Sequence, residues 1–180
     1  MDYQLQIKKE KNLLRKNFSF LLKQLSSSRR EFAKNSLVGF FEKFLNKPTT
    51  ILSFISLSSE INTQKLNKFL VKTHFLFLPS FQNKAHVFKV NSEDNLSNLL
   101  TYKDYLPDQK IFYPQVILVP GLAFSTTTKH RLGYGSGWYD IYLSSLPSSS
   151  LSIGIGFQEQ KYNMLPFTHH DIPLKKLFLF

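Results

Sequence analysis

The sequence predicts one α/β layered domain built around a largely parallel sheet. Segments with the 3.6-residue period of amphipathic helices alternate with short apolar runs rich in Val, Ile and Phe, the order expected of strands crossed over by helices. At 180 residues, 42% hydrophobic and 15% aromatic, the chain can fill one sizeable core. No internal repeat or long low-complexity linker divides it, and "SSLPSSS" is only a local loop. A single domain over residues 1–180 is therefore expected.

Each element follows in order. Leu14, Phe18, Leu21, Leu22 and Leu25 recur at helical spacing, and after "SSS" the pattern resumes as Ala33, Leu37, Phe40, Phe41 and Phe44. The second of these helices opens on Ser28-Arg29-Arg30-Glu31, a spacing that lets Ser and Glu side chains satisfy each other's free backbone N–H. Pro48 lies just past its end, where a helix cannot continue. "TTILSFISL" reads as a buried strand, "NTQKLNKFLVK" as a short helix capped at Thr63, and "HFLFLP", "AHVFKV" and "PQVILVP" as further strands. "WYDIYLSSL" forms a helix, and "LSIGIGF" is the last apolar strand.

Composition removes several function classes. The opening "MDYQLQIKKEKNLLRK" is too polar for a secretory leader, and "ILSFISL" and "QVILVPGLAF" fall well short of the roughly 20 residues that cross a bilayer. A soluble, cytoplasmic protein is expected. The absence of cysteine excludes disulfides, a thiolate nucleophile, zinc fingers and iron–sulfur sites. The formal charge of +11 fits either a solvated lysine-rich surface or an anionic partner. With 19 lysines scattered from Lys8 to Lys176 and four arginines, it does not form a base-reading surface.

In open α/β sheets ligands sit beyond the carboxyl ends of the strands, which directs attention to the loops after "ILSFISL" and "QVILVP". "RLGYGSGWYD" falls downstream of the second. Glycines at 133, 135 and 137 allow positive φ and inward-facing N–H groups, an anion-holding nest next to the positive end of a helix starting near Trp138. Asp140, one turn in, is placed to hold a metal that bridges the same anion. A glycine-rich turn capped by a first-turn aspartate fits the spacing equally well. The run is neither the dinucleotide G-x-G-x-x-G nor a P-loop.

"VILVPGLAF…RLGYGSGWYDIYL", Val116 to Leu143, closely resembles the signature of the 5-formyltetrahydrofolate cyclo-ligase family, the methenyltetrahydrofolate synthetases. "KNLLRK", "SLSSEINT" and "LPFTHHDIPL" fall in the family's order and extend the resemblance over almost the whole chain. It implies a three-layer α/β/α fold and an ATP- and magnesium-dependent conversion of 5-formyltetrahydrofolate to 5,10-methenyltetrahydrofolate, with release of ADP and phosphate. Carried over by residue, it makes Lys11, Asn12, Leu13, Leu14 and Arg15 nucleotide contacts, together with Arg131, Leu132, Gly133, Tyr134, Gly135, Ser136, Gly137, Trp138 and Tyr139. Lys11, Arg15 and Arg131 supply the catalytic positive charge. Leu57, Glu60 and the run from Tyr134 to Trp138 contact folate, and Asp140 and Asp171 hold magnesium.

The resemblance further implies a monomer whose partners are ATP and a mono- or polyglutamylated folate, with no membrane and no nucleic acid. Some positions depart from the family's pattern. Ser125 stands where Asp is common, "TTTKH" lacks the loop glycine that precedes the Arg, Ser136 replaces glycine or lysine, and Trp138 replaces tyrosine or phenylalanine. These departures keep open a folate-binding protein without turnover, and the charge keeps open a basic nucleic-acid-binding module. His169 and His170 read as loop residues, because adjacent side chains on a regular element point apart.

Overall fold

The computed structural model describes residues 3–80, 86–98 and 113–180. Its order is α1 (Tyr3–Lys23), α2 (Ser27–Phe44), β1 (Thr50–Leu52), α3 (Gln64–Thr73), β2 (Phe75–Ser80), β3 (His86–Lys89), α4 (Glu93–Asn98), β4 (Val116–Val119), β5 (Ala123–Ser125), β6 (Arg131–Leu132), α5 (Trp138–Ser144), β7 (Leu151–Gly156), β8 (Lys161–Tyr162) and β9 (Lys176–Leu179). The main sheet runs β3-β2-β1-β4-β7-β9. Only the β2–β3 pair is antiparallel; the other neighbours are parallel. A smaller sheet, β6-β5-β8, sits beside it.

The continuous apolar run "VILV" of β4 buries both faces, as a central parallel strand must. Val116 and Leu118 face a core completed by α1, α2 and α3, while Ile117 and Val119 face a second core with Trp138, Tyr139, Tyr142 and Leu143 of α5. Helices therefore cover both faces, and the expected α/β fold is the observed one. α1 contributes Ile7, Leu14, Phe18 and Leu22, spaced so that they share one stripe, whereas Leu21 is exposed.

Several local expectations are corrected. α2 is capped by Ser26, whose hydroxyl accepts from the Arg29 N–H, and not by Ser28; Glu31 pairs instead with Lys34. Thr63 stands at the start of α3 without capping it, because its hydroxyl donates to the Phe54 carbonyl. Of "TTILSFISL", only Thr50–Leu52 is strand. The remainder turns away and becomes a wall of the candidate site. The rings of His169 and His170 do not diverge; they meet with centroids 3.7 Å apart in a turn. α4, β9 and the small sheet were not foreseen. β9 lies in "KKLFLF", and the small sheet's strands are two or three residues long, too short for an alternation to register.

Candidate active site

A cavity of about 400 Å³ opens beyond the carboxyl ends of β1 and β4. Five segments distant in sequence form it: α1, the loop after β1, Pro120 just past β4, the run from β6 through the glycines into α5, and Asp171 in the loop before β9. The loop before α5 folds as it does because Gly135 and Gly137 take φ of 111° and 70°, a region that costs a residue with a Cβ. Gly133, expected to share this conformation, does not have positive φ. Gly137 leads directly into α5, which is only seven residues long. The expected helix-end contribution to anion binding is correspondingly small.

Part of the cavity lining gathers charge. Lys11 Nζ donates to both oxygens of Asp171, at 2.7 and 2.6 Å. Asp171 also accepts from the Thr168 N–H at 2.6 Å and its hydroxyl at 2.9 Å. Burial pushes the Asp171 carboxyl up, but Lys11 and Thr168 outweigh it and hold the group below the usual carboxylate range. Arg131 lies 3.0 Å from Asp140, whose other oxygen accepts from the Ile172 N–H at 3.0 Å. Its guanidinium rests over the Tyr139 ring. Arg15 differs from both cations, since its Nε donates to the Gly133 carbonyl at 2.9 Å and its Nη1 to Asn12 Oδ1 at 2.7 Å, two neutral acceptors.

A further acid, Glu60, lines the cavity without a cation partner among the described residues. Glu60 is 7% exposed and accepts from the Leu57 N–H at 2.8 Å. Burial pushes its carboxyl up to about 7, against the pull of that hydrogen bond. Tyr134 reaches from the glycine-rich run to Ser59, with 2.6 Å between the hydroxyls, and so ties the two loops together. Trp138 closes the floor, its indole N–H donating to the Ser80 carbonyl at 3.0 Å. Tyr139 is buried alongside, its hydroxyl without a hydrogen-bond partner among the described residues.

Lys11, Arg15, Leu57, Glu60, Asp140, Asp171 and the whole run from Arg131 to Tyr139 line this one cavity. Asn12, Leu13 and Leu14 do not: Asn12 positions Arg15, Leu13 is exposed, and Leu14 enters the core. Phe54, Ile55 and Pro120 also line it and were missed, the first two because they lie inside an apolar run read as strand. Pro120 directly follows β4, and that position was its only signal. The loop before Arg131 closes without a glycine. Lys129 takes φ of 62°, and buried Ser125 accepts from the Thr128 N–H and hydroxyl while donating to the Asn163 carbonyl.

Asp140 and Asp171 are two hard oxygen donors on one cavity wall, with no cluster of three or more acidic or histidine side chains among the described residues. That set suits magnesium, which keeps several waters and takes phosphate oxygens as its remaining ligands.

Residues 7–179 match the 5-formyltetrahydrofolate cyclo-ligase family. The chain belongs to this family. A 5-formyltetrahydrofolate cyclo-ligase of Saccharomyces cerevisiae is 34% identical over 61 residues, a stretch that makes up 31% of this chain and 29% of the yeast protein. Two solved structures, both described as 5,10-methenyltetrahydrofolate synthetases, share the fold with a TM-score of 0.72 and 22% identity. The protein from Aquifex aeolicus aligns over 93% of this chain and 88% of its own. The one from Mycoplasma pneumoniae aligns over 93% and 97%. Among the described residues no helix is long and apolar enough to cross a membrane.

Proposed function

We propose that this family member is an ATP-dependent cyclo-ligase that converts 5-formyltetrahydrofolate to 5,10-methenyltetrahydrofolate and acts as a cytoplasmic monomer. One observation carries the reading: three cations and two carboxylates paired with cations line a single cavity together with a buried carboxyl, Glu60, that has no cation partner among the described residues. The charged part suits a polyphosphate. The Glu60 part suits a pterin ring, whose amino and ring N–H groups need an acceptor.

The formyl oxygen attacks the γ-phosphorus of ATP, and the bond to ADP breaks. The neighbouring bridge nitrogen of folate then attacks the formyl carbon, giving up its proton to solvent. The carbon–oxygen bond breaks, the ring closes and phosphate leaves with the formyl oxygen. The chain's part is to position the reactants and neutralise charge, which is most of what phosphoryl transfer asks of a protein. Arg15 and Arg131 grip phosphate oxygens with forked donors, Lys11 adds a point charge, and the positive-φ loop at Gly135 and Gly137 lets backbone approach the phosphates. Asp140 and Asp171 would hold magnesium. Bound there, such an ion would help neutralise the phosphates and polarise the transferred group.

The test is appearance of methenyl absorbance on mixing the protein with 5-formyltetrahydrofolate, ATP and magnesium, each omitted in turn. Signal that requires all three is expected. Folate binding without any signal would leave a binding protein instead, and a salt-sensitive shift of RNA or DNA with no folate binding would point to the nucleic-acid class.

A further inference from the structure

Both candidate metal carboxylates are already occupied by candidate phosphate cations. Lys11 spans the two oxygens of Asp171, and Arg131, with only 4% of its side chain exposed, pairs with Asp140. In each pair one member is the type of group that grips phosphate and the other the type that grips a hard metal ion. A polyphosphate arriving alone must draw Lys11 away from Asp171. That leaves a largely shielded carboxylate unpaired beside incoming negative charge, a costly arrangement. A metal ion arriving alone leaves the ammonium unpaired in the same way. Arriving together, they exchange partners with both pairs, cation to phosphate and carboxylate to metal, and no buried charge is stranded. Arg15 stands outside this exchange, because its acceptors are a carbonyl and an amide oxygen. Among the described residues no carboxylate compensates its charge before a ligand enters.

On this basis, and resting on the nucleotide site proposed above, we infer that the Lys11–Asp171 and Arg131–Asp140 pairs act as internal blocks: the site admits a metal–polyphosphate complex and rejects the metal-free anion. Metal and polyphosphate then raise each other's affinity reciprocally. Asp171 is both a ligand for the complex and an obstacle to the bare anion, so its removal should change the two affinities in opposite directions.

Isothermal titration of the folded protein with inorganic tripolyphosphate reads this directly, once in magnesium and once in chelator. The wild type should bind at least about tenfold more tightly with magnesium. Asp171→Asn, in which the amide oxygen can still accept from Thr168, should bind the metal-free anion at least about fivefold more tightly than the wild type and the magnesium complex more weakly. Removing any nearby negative charge also helps an anion, so the deciding step is the cycle with Lys11→Met. If release of Lys11 contributes, the gain from Asp171→Asn is smaller in the Lys11→Met background, where only the loss of repulsion remains. A gain at least as large there as in the wild-type background, or no gain at all, overturns the inference. If Asp171→Asn loses its circular dichroism signature, Asp140→Asn is the second arm, with the same expected change in metal-free binding through Arg131, and unchanged metal-free binding overturns the inference. A wild type that binds tripolyphosphate under neither condition instead removes the nucleotide site on which the inference rests.

Discussion

Two parts of the cavity lining treat charge in opposite ways. At one, each acid has a cation: Asp171 holds Lys11 and Asp140 holds Arg131. At the other, Glu60 is more deeply buried and has a backbone N–H instead of a cation. The Asp171 carboxyl is held low and the Glu60 carboxyl pushed up to about 7. The same functional group, a side-chain carboxyl, thus becomes a fixed charge in Asp171 and a group that titrates near neutrality in Glu60. The difference teaches what each part can take. The paired part is preorganised for highly charged partners, and the lone acid suits a largely neutral ring that supplies hydrogen-bond donors.

The largest expected effect breaks the paired part alone. At Gly135 the φ of 111° disfavours any Cβ, and one built there would lie 3.8 Å from the Arg15 guanidinium carbon, so the branches of Gly135→Val would press on Arg15. With strain on the order of 2 kcal/mol and a displaced cation, ATP affinity should fall by more than about thirtyfold in a protein that keeps its circular dichroism spectrum. Unchanged ATP affinity in a folded variant would sink the cradle.

Next come the carboxylates. Asp140→Asn and Asp171→Asn should each lower turnover by at least about tenfold, on the order of 1.4 kcal/mol in the barrier. Both should raise the magnesium requirement while folate still binds. Normal turnover of both at limiting magnesium would return Asp140 to a first-turn helix aspartate.

The Glu60 part is probed by pH. If the ionised carboxylate accepts the pterin's N–H groups, folate binding tightens as pH rises through about 7, by up to about tenfold per pH unit below that value. Glu60→Gln should flatten the profile. Stability moves the other way. The folded carboxyl holds its proton more tightly than the unfolded one, so wild-type stability relative to Glu60→Gln falls as pH climbs from 4.5 to about 7, by as much as about 3 kcal/mol. A pH-independent difference between the two melting curves would refute the raised carboxyl.

The smallest effect concerns the link between the loops. Tyr134→Phe removes only the hydroxyl that meets Ser59. The bond is exposed, so a loss in folate affinity of about threefold is expected, and a tenfold loss would mean that Tyr134 contacts ligand through that hydroxyl.

Much of this arrangement was legible in the sequence. The period of α1 and the continuous apolar run of β4 reflect burial of a stripe and of both faces, and burial leaves a pattern that survives without coordinates. The positive-φ loop before α5 was legible because Gly135 and Gly137 answer a backbone requirement few other residues meet. What was not legible depends on which side chain meets which. Ser26, Ser27 and Ser28 are equally good caps by type, and only the backbone geometry at Ser26 decides among them. Nothing in the spacing of Lys11 and Asp171, 160 residues apart, announces a salt bridge. Lys129 shows a residue doing what a glycine was expected to do, because Ser125 holds the turn that surrounds it.

In the proposed reaction the formyl oxygen takes the phosphoryl group and departs with it. Turnover of 5-formyltetrahydrofolate labelled with ¹⁸O in the formyl group, followed by mass analysis of the released phosphate, tests it. The account predicts one labelled oxygen in phosphate for each methenyl ring formed, with none in ADP. Methenyl product accompanied by unlabelled phosphate would contradict it.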